Sequence, residues 1–192
     1  MKKKAFPARL EALKILSGIK DKNTVLLAAM GFTGRELCEI EDAPNSFYMV
    51  GSMSCLSSIP LGLALAKKKK NVIAIDGDGA LLMRMGSLAT NAAYSPPDML
   101  HILLDNNPHE STEGQRTFSH NGDFVEVAAA CGYINVLRAH SLPEMRGFLR
   151  SWVKNRGLTF LHMKIMQKTK KDLARPSVTP YQVRTLLMEF IK

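Results

Sequence analysis

Apolar residues along the chain fall into two alternating patterns. Short unbroken runs read as strands buried on both faces: TVLLAAM (24–30), FYMV (47–50), NVIAID (71–76), MLHILLD (99–105), YINVLR (133–138) and LTFLHMKI (158–165). Between them apolar positions recur at helical spacing. Residues 7–19 carry Leu10, Leu13 and Leu16 behind Pro7, and 31–40, 55–66, 80–94, 123–131 and 142–155 read as further helical segments. Thr33 and Glu36 have the spacing of a capping box, and Pro60 fits the 55–66 helix only in its first turn. Thr179, Pro180 and Gln182 together open a C-terminal helix. Strands that alternate with helices predict an α/β fold, a doubly wound parallel sheet with helices on both faces. Residues 1–192 are expected to form one domain, with 166–178 a linker and 179–191 a terminal helix.

Polar punctuation falls at the carboxyl ends of three of these strands: GSMS after FYMV, GDGA after VIAI, and NNPH after HILL. Ligands of doubly wound sheets bind beyond those ends, so the three segments are expected to converge on one crevice. Gly77 and Gly79 let the backbone turn tightly and approach a ligand. The Asp78 carboxylate and the Asn106 carboxamide oxygen offer two hard oxygen ligands, a set that suits Mg²⁺ completed by water and phosphate. The amides of Gly79 and Ala80, at a helix start, would meet phosphate oxygens. The blander alternative is that Asp78 caps the helix and Asn106 and Asn107 only shape a turn.

Composition narrows the field. The chain has 192 residues, 46% of them hydrophobic, enough for a globular core. No apolar stretch is long enough for a membrane span, and the basic start MKKKAFPARL lacks the apolar segment of a signal peptide. Cys38, Cys55 and Cys131 show no paired spacing, which fits buried thiols in the cytoplasm and not a disulfide frame or a zinc site. The net charge of +9 comes largely from Lys67–Lys70 and from 164–175, read as a solvated turn and a solvated linker. Neither run carries a nucleic-acid-binding motif. No G-x-G-x-x-G follows a strand and no Walker pattern is present, which weighs against a nucleotide-binding module. His101 and His162 lie in strand patterns and read as core residues. Met83, Met85 and Met99 read as core filler.

GDG at 77–79 followed by NN at 106–107 resembles the signature of thiamine-diphosphate-dependent enzymes. FYMVGSMS, IDGDGALLMRMGSLAT and HILLDNNPHESTEGQ together resemble the phosphonopyruvate and sulfopyruvate decarboxylase branch, over roughly residues 8–190. The resemblance implies the PP-type thiamine-diphosphate-binding fold with thiamine diphosphate and Mg²⁺ as cofactors. It places Asp78, Asn106 and the Pro108 carbonyl on the metal. It places Gly77, Gly79, Ala80 and the Ser111 backbone at the diphosphate. In the GSMS segment, Gly51 would accept from the aminopyrimidine and Met53 would bend the cofactor, with Ser52 between them. The chain departs from the branch at Ser54 and at Glu113, where it usually has Gly. The activity implied is decarboxylation of a small anionic 2-oxo acid, the cofactor serving as electron sink. His109 is then the candidate for proton transfer, Ser111 and Thr112 for donors to substrate, and Arg116 for pairing with a phosphonate or sulfonate.

Enzymes of this kind need a carboxylate at the pyrimidine ring, which the family supplies from a second domain. No such domain fits in 192 residues. The resemblance therefore implies a hetero-oligomer, in which this chain is the β-type subunit and a pyrimidine-binding α-type subunit supplies the glutamate. The small residues of 55–66 would allow close packing. Phosphonopyruvate is the favoured substrate; sulfopyruvate and an acetolactate synthase-like activity are the alternatives.

Overall fold

A computed structural model describes residues 6–192; Met1–Ala5, the basic start of the chain, lie outside the described residues. In chain order the elements are α1 (Arg9–Gly18), β1 (Thr24–Ala28), α2 (Phe32–Ile40), β2 (Ser46–Tyr48), a single 3₁₀ turn (Met53–Cys55), α3 (Ser58–Ala66), β3 (Asn71–Gly77), α4 (Asp78–Met83), α5 (Ser87–Tyr94), β4 (Met99–Asp105), α6 (Phe124–Cys131), β5 (Asn135–Ala139), α7 (Leu142–Lys154), β6 (Thr159–Lys164) and α8 (Pro180–Phe190). The six strands form one parallel sheet in the order β2-β1-β3-β4-β6-β5. Every apolar run singled out in the sequence overlaps one of these strands.

Successive strand residues face opposite sides, so unbroken apolar runs feed two cores. Leu26, Ile73, Leu100 and Leu161 sit in one core with Leu13 and Leu16 of α1, Leu37 of α2 and Trp152 of α7. Val25, Val72, Leu103 and Phe160 sit in the other with Leu61 of α3, Leu88 of α5 and Phe124 of α6. Burial of each such aliphatic side chain contributes about 1.5–3 kcal/mol, and the two layers hold the strand ends in fixed positions. The chain runs outward from β1 to β2, then returns to build β3 and β4 on the other side of β1. The switch point therefore lies between the carboxyl ends of β1 and β3, where such folds place their ligands. Among the described residues no helix is long and apolar enough to cross a membrane.

Local signals were realised unevenly. Thr179 caps α8 through the Gln182 amide, the Gln182 side chain bonds back to the Thr179 amide at 2.8 Å, and Pro180 occupies the first turn. Pro60 also lies in a first turn, that of α3, which starts at Ser58 after the separate 3₁₀ turn and not at 55. The Thr33/Glu36 capping box does not form. Gly31, with φ of 86°, precedes α2 instead, and Glu36 is buried within the helix with its carboxylate drawn to the Arg9 guanidinium. A charged partner outcompetes two backbone amides. Met99 is core, but Met83 and Met85 are exposed, since α4 is short and turns its second half outward. The three cysteines are unpaired and half-buried, not fully buried. Lys164 does not belong to a solvated linker: it ends β6 and pairs with buried Asp105 at 2.6 Å.

Candidate functional site

The turn after β3 is anchored by the aspartate that precedes GDG. Asp76 Oδ1 accepts from the Gly77 amide at 2.9 Å, and Oδ2 lies 3.3 Å from His101 Nε2. His101 is buried in the sheet as expected and is held on its other side by Tyr133, whose hydroxyl also accepts from Asn91. The strand end is therefore tied to the core before it turns. Asp78 then opens α4 as its first residue, with only 2% exposure, and its carboxylate accepts from Thr117 Oγ1.

Asp105 performs the same service at the end of β4. Its carboxylate accepts from the Asn107 amide (3.1 Å), Ser119 Oγ (2.9 Å) and His162 Nε2 (3.0 Å), besides Lys164. Burial alone would raise the pKa of this carboxyl, but the bonds from His162 and Lys164 outweigh it and hold the pKa below the ordinary range. Asn107 adopts φ of 74°, a left-handed conformation that asparagine tolerates better than most residues. The second asparagine of NN therefore turns the chain, which leaves the first free to face the cleft. Across the loop, Pro108 and Arg116 form an antiparallel bridge that closes a tight hairpin.

These anchors bring three strand ends together. A cleft of about 60 Å³ is lined by Ala29 and Met30 after β1, by Gly77–Ala80 after β3, and by Asn106 and Pro108–Ser111 after β4, with Met53 and Arg9 at its sides. The expectation of convergence needs one correction. β1, not β2, is the neighbour of β3, and GSMS reaches the cleft only through Met53. Gly51 lines an adjoining groove together with Thr112, and Ser52 and Arg116 line neither space. Met30 and Ser111 belong to both, so the cleft and the groove are continuous. Of the two positions where the branch usually has Gly, Ser54 lies half-buried in the 3₁₀ turn and Glu113 is exposed; neither lines the cleft.

The cleft is electrostatically unbalanced in a way that fits a cation. Burial pushes the Asp78 carboxyl above its usual range; the bond from Thr117 Oγ1 opposes that, and the Asp105 charge adds to it. Among the described residues no basic side chain pairs with Asp78. Asn106 is 7% exposed and donates Nδ2 to Glu110 Oε2 at 2.9 Å, which leaves its Oδ1 as a lone acceptor. Among the described residues no backbone amide donates to the Pro108 carbonyl. One carboxylate, one amide oxygen and one carbonyl thus share a single cleft with a net negative charge, the donor set that Mg²⁺ takes from proteins. The ring of His109 lies directly over Gly79: a β-carbon there would fall 2.3 Å from its Cε1.

Three residues of this site had no signal in the sequence. Thr117 reaches Asp78 from 39 positions away. Arg9 of α1 is 5% exposed and bonds Glu36 Oε2 at 3.0 Å, Glu110 Oε2 at 3.3 Å and Thr169 Oγ1 at 2.5 Å. Glu110 in turn receives Asn106, so Arg9 fixes the acceptor that orients this amide. Replacing Arg9 by Met strands two carboxylates in partly or wholly buried positions, a change that costs about 3 kcal/mol. Burial already raises the Glu36 pKa in spite of Arg9. The folded variant therefore binds protons more tightly than its unfolded chain, and its stability falls as pH rises. Thermal melts of R9M should show a deficit that shrinks as pH is lowered from 8 toward the Glu36 range; an equal deficit at all pH values would contradict this.

The fold is an α/β domain with a polar cleft at its switch point, and comparison with known proteins gives its class. The family model described as "Thiamine pyrophosphate enzyme, C-terminal TPP binding domain" matches residues 29–163, and the chain belongs to this family. Its relatives include the phosphonopyruvate decarboxylase of Streptomyces viridochromogenes, 38% identical over 97% of this chain and 47% of that protein. The sulfopyruvate decarboxylase subunit beta of Methanococcus maripaludis is 35% identical over 96% of this chain and 97% of that subunit. The chain thus spans about half the length of the Streptomyces relatives and nearly all of the methanococcal one. Among solved structures, an enzyme of Mycobacterium smegmatis described as thiamin diphosphate-dependent superposes with a TM-score of 0.68 at 17% identity, over 84% of this chain and 32% of that one. This last likeness concerns the fold alone.

Proposed function

We propose that the chain is the diphosphate- and Mg²⁺-binding half of a 2-oxo acid decarboxylase, acting on 3-phosphonopyruvate in concert with a pyrimidine-binding partner chain. The observation that carries the reading is the uncompensated Asp78 carboxylate sharing one cleft with Asn106 Oδ1 and the Pro108 carbonyl, at the switch point of the sheet. These three groups would hold the metal. The amides of Gly79 and Ala80 and the Ser111 backbone would hold the diphosphate. Thiamine diphosphate, when bound, supplies the electron sink for loss of CO₂. Met53, half-buried at the side of the cleft, would support the bend of the cofactor, and the Gly51 carbonyl in the adjoining groove would accept from its amino group. His109, packed on Gly79, would hold and move a proton at its ring nitrogens.

The partner chain is supported by the relatives named as subunits and by an exposed apolar residue in the groove beside the cleft. Val50, which lines the adjoining groove, is 66% exposed, an apolar surface that a second chain would cover. The sulfopyruvate reading has its own support, since a beta subunit bearing that name matches this chain nearly end to end. Turnover of 3-phosphonopyruvate, 3-sulfopyruvate and pyruvate by the chain reconstituted with its companion tests the proposal. Phosphonopyruvate should be consumed fastest, and no turnover should occur without the companion. Preference for pyruvate would overturn the substrate, and no turnover of any of the three would overturn the activity. Replacing Met53 by Ala should lower kcat about tenfold while cofactor affinity changes less than threefold, because the residue acts on the bent geometry more than on binding. Equal losses in both would refute that role.

A further inference from the structure

The groove that adjoins the cleft carries a second electrostatic imbalance, opposite in sign. Its volume is about 410 Å³, and its walls are largely apolar, with Met49, Val50, Val178 and Val183 among them. Two arginines line it from separate elements: Arg35 from α2, and Arg175 from the segment between β6 and α8. No carboxylate among the described residues lines it. Among the described residues neither arginine has a carboxylate within ion-pair distance, in contrast to Arg9, which has two, and Arg138, which has Asp123. The guanidinium of Arg35 rests on the Phe32 ring at 5.5 Å, a contact that fixes it without neutralising it. Guanidinium groups stay charged at any physiological pH, and apolar walls strengthen their field. The space therefore holds two permanent positive charges with no internal counter-charge.

Resting on the reading above, we propose that Arg35 and Arg175 form the subsite for the second anion of the substrate, a tetrahedral phosphonate or sulfonate borne by the 2-oxo acid. Planar guanidinium forks bind tetrahedral oxyanions through paired N–H donors. Thr112 adds a hydroxyl to the groove, and Ser111 joins it to the cleft, so an anion held here stays next to the cofactor end of the site. At about 30 Å³ per water-sized group, the groove accepts a three-carbon acid with its tetrahedral group. Arg116 is exposed, lines neither space, and is displaced from this role. Two cations matched to one group favour a dianion over a monoanion, which makes phosphonate the better fit.

Calorimetric titration of the full chain with 3-phosphonopyruvate, 3-sulfopyruvate and pyruvate tests this, in parallel with titration by thiamine diphosphate and Mg²⁺. The wild-type chain should bind phosphonopyruvate more tightly than sulfopyruvate, and both more tightly than pyruvate. Arg35→Met and Arg175→Met should each weaken phosphonopyruvate binding about tenfold, the scale of a hydrogen-bonded charged contact. Affinity for pyruvate and for the cofactor should stay within twofold, and Arg35→Lys should recover part of the loss. Unchanged phosphonopyruvate affinity in both variants, or no preference of the wild type over pyruvate, would overturn the subsite. If the chain binds phosphonopyruvate through the two arginines but fails to bind thiamine diphosphate, the subsite stands and the cofactor reading falls.

Discussion

Asp78→Asn should make the cofactor-free chain more stable while it abolishes metal-dependent cofactor binding. The side chain is buried, and burial raises its pKa in the fold above the usual carboxylate value. A group with a raised folded pKa binds protons more tightly folded than unfolded, so stability falls as pH rises from the unfolded value through the folded one. Above that window the ionised carboxylate is a standing cost to the fold. Asn removes the charge, keeps the shape, and can still accept from Thr117. A gain of about 1 kcal/mol would raise the melting temperature by roughly 2–4 °C in a chain of this size. The same change deletes the only charged oxygen of the proposed metal set, a loss of about 100-fold in Mg²⁺-dependent affinity for thiamine diphosphate. Melting curves and calorimetry on one preparation give both numbers. A lower melting temperature with cofactor affinity intact would refute both halves.

Gly79→Ala should lower turnover about 100-fold with little effect on the fold. The added methyl would fall 2.3 Å from Cε1 and 2.6 Å from Nδ1 of His109, distances that no real contact sustains. The atoms it meets belong to a loop side chain that can swing away, so the backbone is spared and the imidazole is displaced. Proton transfer by a positioned side chain contributes about 10²–10⁴ in rate, and that is the contribution at risk. The partnered enzyme should show the same drop in kcat for Gly79→Ala and for His109→Gln. The double variant should be no worse than either, since both changes remove one interaction. If instead the two losses multiply, the glycine acts independently of the histidine, and the proton-transfer role of His109 loses its support.

The sequence made the strands legible because each is an unbroken apolar run bounded by Gly, Pro, Asn or Lys. It could not order them. Periodicity carries no information about lateral neighbours, and the insertion of β6 between β4 and β5 depends on crossovers over the whole sheet. Strand β5 begins at Asn135, two residues after the apolar run suggests, because Tyr133 is pulled into a polar network with Asn91 and His101. Within the site, Asp78 and Asn106 stood out because glycines and an asparagine pair break the strands beside them. Arg9, Glu110 and Thr117 did not, and Glu36 was legible only as a helix cap, since Arg9 and Thr117 act on residues far along the chain and each residue type is ordinary where it stands. Arg35 and Arg175 were hidden for the same reason. Only the fold shows that, among the described residues, neither has a carboxylate within ion-pair distance.

The most direct measurement is anomalous diffraction from crystals of the chain grown with thiamine diphosphate and Mn²⁺ in place of Mg²⁺. One strong peak is expected, within about 2.2 Å of an Asp78 carboxylate oxygen, of Asn106 Oδ1 and of the Pro108 carbonyl oxygen. A bound cofactor whose metal touches neither the Asp78 nor the Asn106 side chain would contradict the proposed site.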